Sequence, residues 1–352
     1  MAHPVLRRAE AHSFRGLMNL PRPVMRRLAG KPVVLDGQTL DLETQWLMRI
    51  KRLAREPATE TLPLPEGRAA LVRHTVLSGG RQPIGEVRDL DVPGGDGPVG
   101  ARLYVPRSRT GAEPTGPSPL LVYFHGGGYV YGDLESHDAT CRVLAERADA
   151  RVLAVDYRLA PEHPFPAGVD DCWNAFVWAS EHAERLGADP ERIGVGGDSA
   201  GGCLATVVAL RAANAGVPCR HQLLVYPVTD ARGGTASREI FGSGFYLTDE
   251  FVELADRSYL RSEADRQDPE VSPALTEKIP DGLAPALVVT AGFDALRDEG
   301  EAWARAMADA GVDVRLKRYP GLTHGFFCVV GVGRTQRAAV AEIAALLKAA
   351  LH

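Results

Sequence analysis

From Leu120 to the C-terminus, short apolar runs alternate with stretches of helical spacing, and this alternation leaves few folds open. The strand candidates are Leu120–Phe124, Arg151–Asp156, Ile193–Gly196, Gln222–Tyr226, Ala286–Thr290 and Asp313–Tyr319. Helical stretches lie between and after them, near 136–148, 168–186, 200–214, 298–311 and 334–350. A strand that is apolar along its whole length, and not at every second residue, is buried on both faces. Strands of that kind spaced by helices form a mostly parallel sheet with helices over both sides. Upstream, Val87–Val92 and Val99–Val105 read as two further strands around the turn segment Pro93–Pro98. Arg107–Pro119, crowded with Ser, Thr, Gly and Pro, reads as an exposed loop.

Two segments stand outside this alternation. Residues 1–55 carry apolar residues at helical spacing, among them Leu42, Trp46, Leu47, Ile50 and Leu53, and read as two or three helices joined at Pro21–Pro23 and Lys31–Gly37. A loop is expected over Glu56–Gly67, marked by Pro57, Pro63 and Pro65. Thr235–Leu275, with Phe241, Phe245, Tyr246, Phe251 and Tyr259 set among charges, interrupts the alternation as an insertion would. Neither segment is long enough to bury its apolar residues alone.

Composition removes several classes of function. The 352 residues carry 40 Lys and Arg against 45 Asp and Glu, a net charge of −5. No basic footprint for nucleic acid or for an anionic membrane surface results. No window approaches the roughly 18 apolar residues of a membrane span, and no apolar stretch of signal-peptide length follows Arg7–Arg8. A cytoplasmic protein is expected. The five cysteines, Cys141, Cys172, Cys203, Cys219 and Cys328, are odd in number and show no CxxC spacing, so reduced thiols are expected and neither a disulfide framework nor a metal site.

The sharpest local signal is Gly197-Asp198-Ser199-Ala200-Gly201, directly after the strand Ile193–Gly196 and directly before a helical stretch. This is G-x-S-x-G in its strand–turn–helix context. The serine of such a turn sits on a strained backbone that demands small neighbours, and its Oγ is exposed. The N–H of Ala200 then lies at the positive end of a helix dipole. The alternative reading is a serine that merely caps a helix.

A second signal, His125-Gly126-Gly127-Gly128-Tyr129, ends an apolar strand 74 residues before the serine. Consecutive glycines let backbone N–H groups approach a ligand and point one way, as stabilising an oxyanion requires. A phosphate-binding loop is disfavoured, because no Gly-Lys-Ser/Thr follows and the glycine spacing is not G-x-G-x-x-G. His125 is expected to brace the loop and not to move protons. A serine nucleophile also needs a base, and the base an orienting carboxylate. Downstream of Ser199 the histidines are His221, His324 and His352. His324, in the glycine-flanked loop Gly321–Phe326 after the last strand, falls at the sheet edge where sites in such folds gather. Asp294, just after the strand Ala286–Thr290, is the preferred acid; its rival Asp298 falls one turn into the next helix, where an acid commonly serves the dipole.

Four features taken together resemble the hormone-sensitive-lipase-like carboxylesterases (family IV) of the α/β-hydrolase superfamily. They are the HGGG loop, Gly197–Gly202, Asp294–Gly300 and His324-Gly325-Phe326; the stretch Val155–Ala167, which reads VDYRLAPEHPFPA, is similar as well. The resemblance runs from about Val87 to the C-terminus and is weaker in the N-terminal helices. It implies an α/β-hydrolase fold, an eight-stranded mostly parallel sheet flanked by helices, with a helical cap. The expected division is N-terminal cap helices over 1–55, core over 56–234, a cap insertion over 235–275 and core again over 276–352. Carried over, Ser199 is the nucleophile, His324 the base and Asp294 its orienter. The oxyanion hole falls to Gly126, Gly127, Gly128 and Ala200, with Gly127 and Gly128 preferred within the loop. Arg158 and Glu162 are expected to form one buried polar network beside the site, and Tyr129 to line the pocket.

The expectation is therefore a serine carboxylesterase acting on short- to medium-chain acyl esters, without metal or organic cofactor. Its partner is a small ester; nucleic acid and membrane insertion are not expected, and a homodimer is left open. An amidase or peptidase would use the same triad. A ligand-binding receptor on the same scaffold is the alternative from another class. The plant gibberellin receptors resemble this family but lack the catalytic histidine, which is present here.

Overall fold

The computed structural model describes residues 4–110 and 116–352. Positions 111–115 of the Arg107–Pro119 loop and the first three residues lie outside the described residues. Eight strands form one sheet: β1 (Glu86–Gly94), β2 (Gly97–Val105), β3 (Ser118–Phe124), β4 (Arg151–Val155), β5 (Ala188–Asp198), β6 (Gln222–Val225), β7 (Ala286–Phe293) and β8 (Val314–Thr323). Their spatial order is β8-β7-β6-β5-β3-β4-β2-β1. All neighbours from β4 to β8 pair in parallel, and β2 pairs antiparallel with both β1 and β4. The helices are α1 (Pro4–Met18), α2 (Arg22–Ala29), α3 (Leu42–Ala54), α4 (Leu64–Gly79), α5 (Leu134–Ala148), α6 (Ala167–Glu181), α7 (Ala200–Ala215), α8 (Ala236–Phe241), α9 (Asp249–Tyr259), α10 (Arg297–Asp309) and α11 (Thr335–Leu351).

The central strand explains why the apolar runs are continuous. Every residue of β3 is buried, and successive side chains enter opposite cores. Leu120, Val122 and Phe124 belong to one apolar cluster with residues of α6, α7 and α10, whereas Leu121 and Tyr123 belong to a second with residues of α5 and α11. Each face of the sheet thus has its own apolar layer.

Three local expectations change. The turn between β1 and β2 is shorter than Pro93–Pro98, because the pairing continues through Pro93 with Pro98 and Gly94 with Gly97. Proline is tolerated there: β1 is the sheet edge, and Pro98 lies beyond the stretch of β2, Ala101–Tyr104, that pairs with β4. The loop expected over Glu56–Gly67 ends early, since α4 begins at Leu64. Pro65 occupies the first turn, where a helix has no use for the missing N–H. Arg158 and Glu162 belong to two networks, not one. Glu162 is half exposed and pairs with Arg68 through two bonds of 2.7 and 2.8 Å. Arg158 pairs with the fully buried Asp171 of α6, which also accepts the N–H groups of Arg158 at 2.9 Å and Gly95 at 2.7 Å.

Asp171 therefore ties α6, the β1–β2 turn and the loop after β4 at one point. Asp171→Ala leaves a partly buried guanidinium and two backbone donors without their acceptor, and should cost about 3 kcal/mol of folding free energy. Urea denaturation should show a lower midpoint with an unchanged slope.

The N-terminal helices attach on the side where β8 ends. Met18, Met25 and Trp46 form an apolar cluster with Val329 and Val332, just after the β8 loop. The Trp46 indole N–H donates to the Leu17 carbonyl at 2.8 Å. Buried Glu43 of α3 accepts the N–H of Thr335 at 3.0 Å at the start of α11. All five cysteines are free thiols. Among the described residues, no helix is long and apolar enough to cross a membrane.

Candidate active site

Four loops meet at the C-terminal edge of the sheet, each leaving the end of a strand. β5 ends at Asp198, and Ser199 takes φ 57°, ψ −121° before α7 begins. This left-handed conformation is strained for serine, and it is forced by the close approach of the flanking glycines. A Cβ at Gly197 would run into the carbonyl of Gly201, and one at Gly201 into the carbonyl of Phe124. The Ser199 N–H donates to the Val225 carbonyl at 2.9 Å, which fixes the turn against β6.

His324 follows β8 and Asp294 follows β7. His324 Nε2 lies 2.9 Å from Ser199 Oγ, and its Nδ1 lies 2.8 Å from Asp294 Oδ2. The other carboxylate oxygen of Asp294 accepts the N–H of Leu296 at 3.0 Å, which sets the plane of the acid. All three side chains are buried. The Tyr226 ring stands 4.4 Å from the imidazole and limits its rotation. Asp298 is turned elsewhere: it accepts the N–H of Ser237 at 2.8 Å and pairs with Arg297. His221 is buried just before β6, and His352 is the exposed last residue.

The HGGG loop follows β3. Gly127 and Gly128 have φ of 128° and 62°, values that favour glycine, and a Cβ on Gly127 would strike the Tyr131 carbonyl. Among the described residues, the N–H groups of Gly127, Gly128 and Ala200 have no protein acceptor. Gly126 differs, because its N–H is donated to Asp198 Oδ1 at 3.0 Å. His125 stacks on Tyr157 at 4.4 Å, and its carbonyl accepts the Tyr157 hydroxyl at 2.7 Å. Burial, with the neighbouring His137, pushes the His125 imidazole down to about 4, which fits a brace and not a charged group.

Sequence reasoning gave Asp198, the second residue of the G-x-S-x-G motif, no role. Its buried carboxylate takes the Tyr123 hydroxyl at 2.6 Å and His137 Nε2 at 3.2 Å on the oxygen that also holds Gly126. Burial works against its ionisation, but His137 and the Tyr123 hydroxyl outweigh burial and hold it at about 2. His137 lies 12 residues after His125 in α5. No spacing rule links it to Asp198, so only the fold brings the pair together.

Two cavities open on Ser199. The larger, about 380 Å³, is lined by His324, Gly126 and Gly127 on one side. Met48 and Lys51 of α3, Leu71 and His74 of α4, and Phe245 and Phe251 line it on the other. The smaller, about 40 Å³, lies beyond Gly128 among Tyr129, Leu247, Phe251 and Tyr259. Tyr129 stacks on Tyr259 with ring centres 3.8 Å apart.

This strand order, and a serine turn facing a histidine and an acid on successive strand ends, have close relatives. A family model described as alpha/beta hydrolase fold matches residues 121–328. The carboxylic ester hydrolase LipN of Mycobacterium tuberculosis is 42% identical over 341 residues, covering 94% of this chain and 89% of its own. The chain belongs to the hormone-sensitive-lipase-like carboxylesterases of the alpha/beta hydrolases. An ethyl acetate hydrolase of Pseudomonas putida is 43% identical to this esterase over 243 residues, 68% of this chain and 75% of its own. Among solved structures, an alpha/beta hydrolase enzyme from the Lake Arreo metagenome superposes with a TM-score of 0.83 at 39% identity. That match covers 88% of the esterase and 98% of the metagenomic chain.

Proposed function

We propose that this carboxylesterase hydrolyses short- to medium-chain acyl esters through Ser199, His324 and Asp294 by way of an acyl-enzyme. The observation that carries the reading is His324 itself, bonded to Ser199 through one nitrogen and to Asp294 through the other. With Nδ1–H donated to the carboxylate, Nε2 is left to accept a proton. Ser199 Oγ attacks the ester carbonyl carbon as His324 takes the hydroxyl proton. The oxyanion receives N–H groups of Gly127, Gly128 and Ala200, the last at the N-terminus of α7. Collapse breaks the bond to the alcohol oxygen, which leaves with the proton from His324. Water then attacks the acyl-enzyme by the same route and releases the acid.

The direction of proton return assigns the two cavities. The leaving alcohol must lie on the His324 side, which is the larger cavity, so the acyl chain points past Gly128 into the smaller one. We propose further that residues 1–55 and 235–275 act as the cap. In support, Lys51 from the first segment and Phe245 and Phe251 from the second line one cavity, and α4, in the first core segment, lines it too. Each methylene that fits the acyl pocket gains up to about 0.8 kcal/mol, so kcat/KM among p-nitrophenyl esters should peak at roughly four to eight acyl carbons. Phe251 lines both cavities, so Phe251→Ala should join them and move the optimum to longer chains. An intact protein that prefers sixteen-carbon esters, or an alanine variant with the same profile, contradicts the assignment of the pockets. For the nucleophile, a serine-reactive organophosphate should form its Oγ–P bond at Ser199 alone; peptide mapping that places the label elsewhere overturns the reading.

A further inference from the structure

Beside the nucleophile turn lies a group of chemistry-bearing side chains that ester hydrolysis does not use. Cys328 Sγ, a ring nitrogen of His137 and a carboxylate oxygen of Asp198 lie within 4.8 Å of one another. All three residues line the larger cavity, so an ion has a path to them. We propose that Cys328, His137 and Asp198 form a binding site for one thiophilic divalent cation, Zn²⁺ before others, whose occupancy shuts the ester site.

The donor set selects the ion. One sulfur, one imidazole nitrogen and one carboxylate oxygen suit a borderline-soft cation that accepts tetrahedral coordination, whereas Mg²⁺ and Ca²⁺ prefer oxygen alone. Zinc–ligand bonds of about 2.0–2.3 Å put neighbouring donors about 3.3–3.6 Å apart around a tetrahedral ion. The His137–Asp198 separation of 3.2 Å is already close to that, and the Cys328 sulfur lies within 4.8 Å of both.

The groups behind the donors are also in place. Ser136 Oγ gives its one proton to the Asp133 carbonyl at 2.8 Å. It also lies 2.9 Å from His137 Nδ1 and can accept a hydrogen from it. With that hydrogen on Nδ1, Nε2 is the nitrogen presented to the ion, the arrangement that orients most metal-binding histidines. The Tyr123 hydroxyl fixes the carboxylate. Binding releases the Cys328 thiol proton and the proton held between His137 and Asp198, so the two charges that enter are balanced by two protons that leave.

Inhibition follows from shared partners. The carboxylate oxygen paired with His137 also holds the Gly126 N–H, so an ion drawing on it competes for the anchor of the HGGG loop and fills the wall of the cavity on the His324 side. This consequence rests on the reading of Ser199 as nucleophile; the binding itself does not.

The test titrates the full chain, held reduced without added thiol, with Cd²⁺ as a spectroscopic stand-in for Zn²⁺. A thiolate-to-cadmium charge-transfer band should saturate at one ion per chain in the wild type and equally in Ser199→Ala. Cys328→Ala should lose the band. Zn²⁺ should abolish hydrolysis by the wild type, reversibly with a chelator, but not by Cys328→Ala. Ser136→Ala should weaken Zn²⁺ binding by about 10–100-fold, and it carries the test if the cysteine variant does not fold. No thiolate band at saturating Cd²⁺, a band with undiminished hydrolysis, or equal zinc inhibition of wild type and Cys328→Ala overturns the proposal.

Discussion

Ser199→Ala should reduce kcat for ester hydrolysis by on the order of 10⁵–10⁶-fold, with the chain folded and substrate still bound. The size follows from what the hydroxyl does: without Oγ there is no attacking atom and no acyl-enzyme, and His324 has no proton to take. What survives is whatever the backbone N–H groups and the pocket give to direct attack by water. Folding should be preserved, because alanine keeps the Cβ that already sits at φ 57° and adds no atom against Gly197 or Gly201. Steady-state assays on p-nitrophenyl butyrate, with thermal unfolding as a control, check both halves. Turnover near that of the wild type would remove Ser199 from the mechanism.

The two acids that follow β7, Asp294 in the loop and Asp298 in the first turn of α10, should separate almost as widely. Asp294→Asn keeps the shape of the side chain but offers His324 an amide in place of an acceptor, so the imidazole loses its tautomer and kcat should fall by about 10⁴-fold. Asp298→Asn should cost less than about tenfold, because Asp298 spends its carboxylate on the Ser237 N–H and on Arg297. Its loss loosens the start of α10 and the attachment of α8 without touching the histidine. The reverse ranking would mean that Asp298 is the acid that orients His324.

The parts of this molecule that were legible in the sequence are those governed by local patterning or by a short motif with a steric requirement. The continuous apolar runs announced strands buried on both faces, as β3 is along its whole length. The serine turn was legible because Gly197 and Gly201 have backbone carbonyls where a side chain would go. Chain order and a place after strands pointed to His324 and Asp294, and the fold brings them to 2.8 Å of each other. Contacts between distant segments were hidden. Glu162 pairs with Arg68, 94 residues away, and not with the network of Arg158, since charge alone does not choose among several arginines. The α4 helix was obscured by three prolines in ten residues, although Pro65 sits where a helix tolerates it. Asp198 looked like filler between a glycine and the nucleophile, because its partners Tyr123, Gly126 and His137 come from another strand, a loop and a helix.

The central claim is that hydrolysis passes through an acyl group carried on Ser199. Acid quenching within the first turnover of p-nitrophenyl acetate, followed by peptide mapping, tests it most directly. A stoichiometric burst of nitrophenol and an added acetyl mass on the peptide Gly197–Gly201, absent from Ser199→Ala, is the predicted result. Acetyl found on another residue, or turnover by the wild type with no covalent intermediate and no burst, would contradict it.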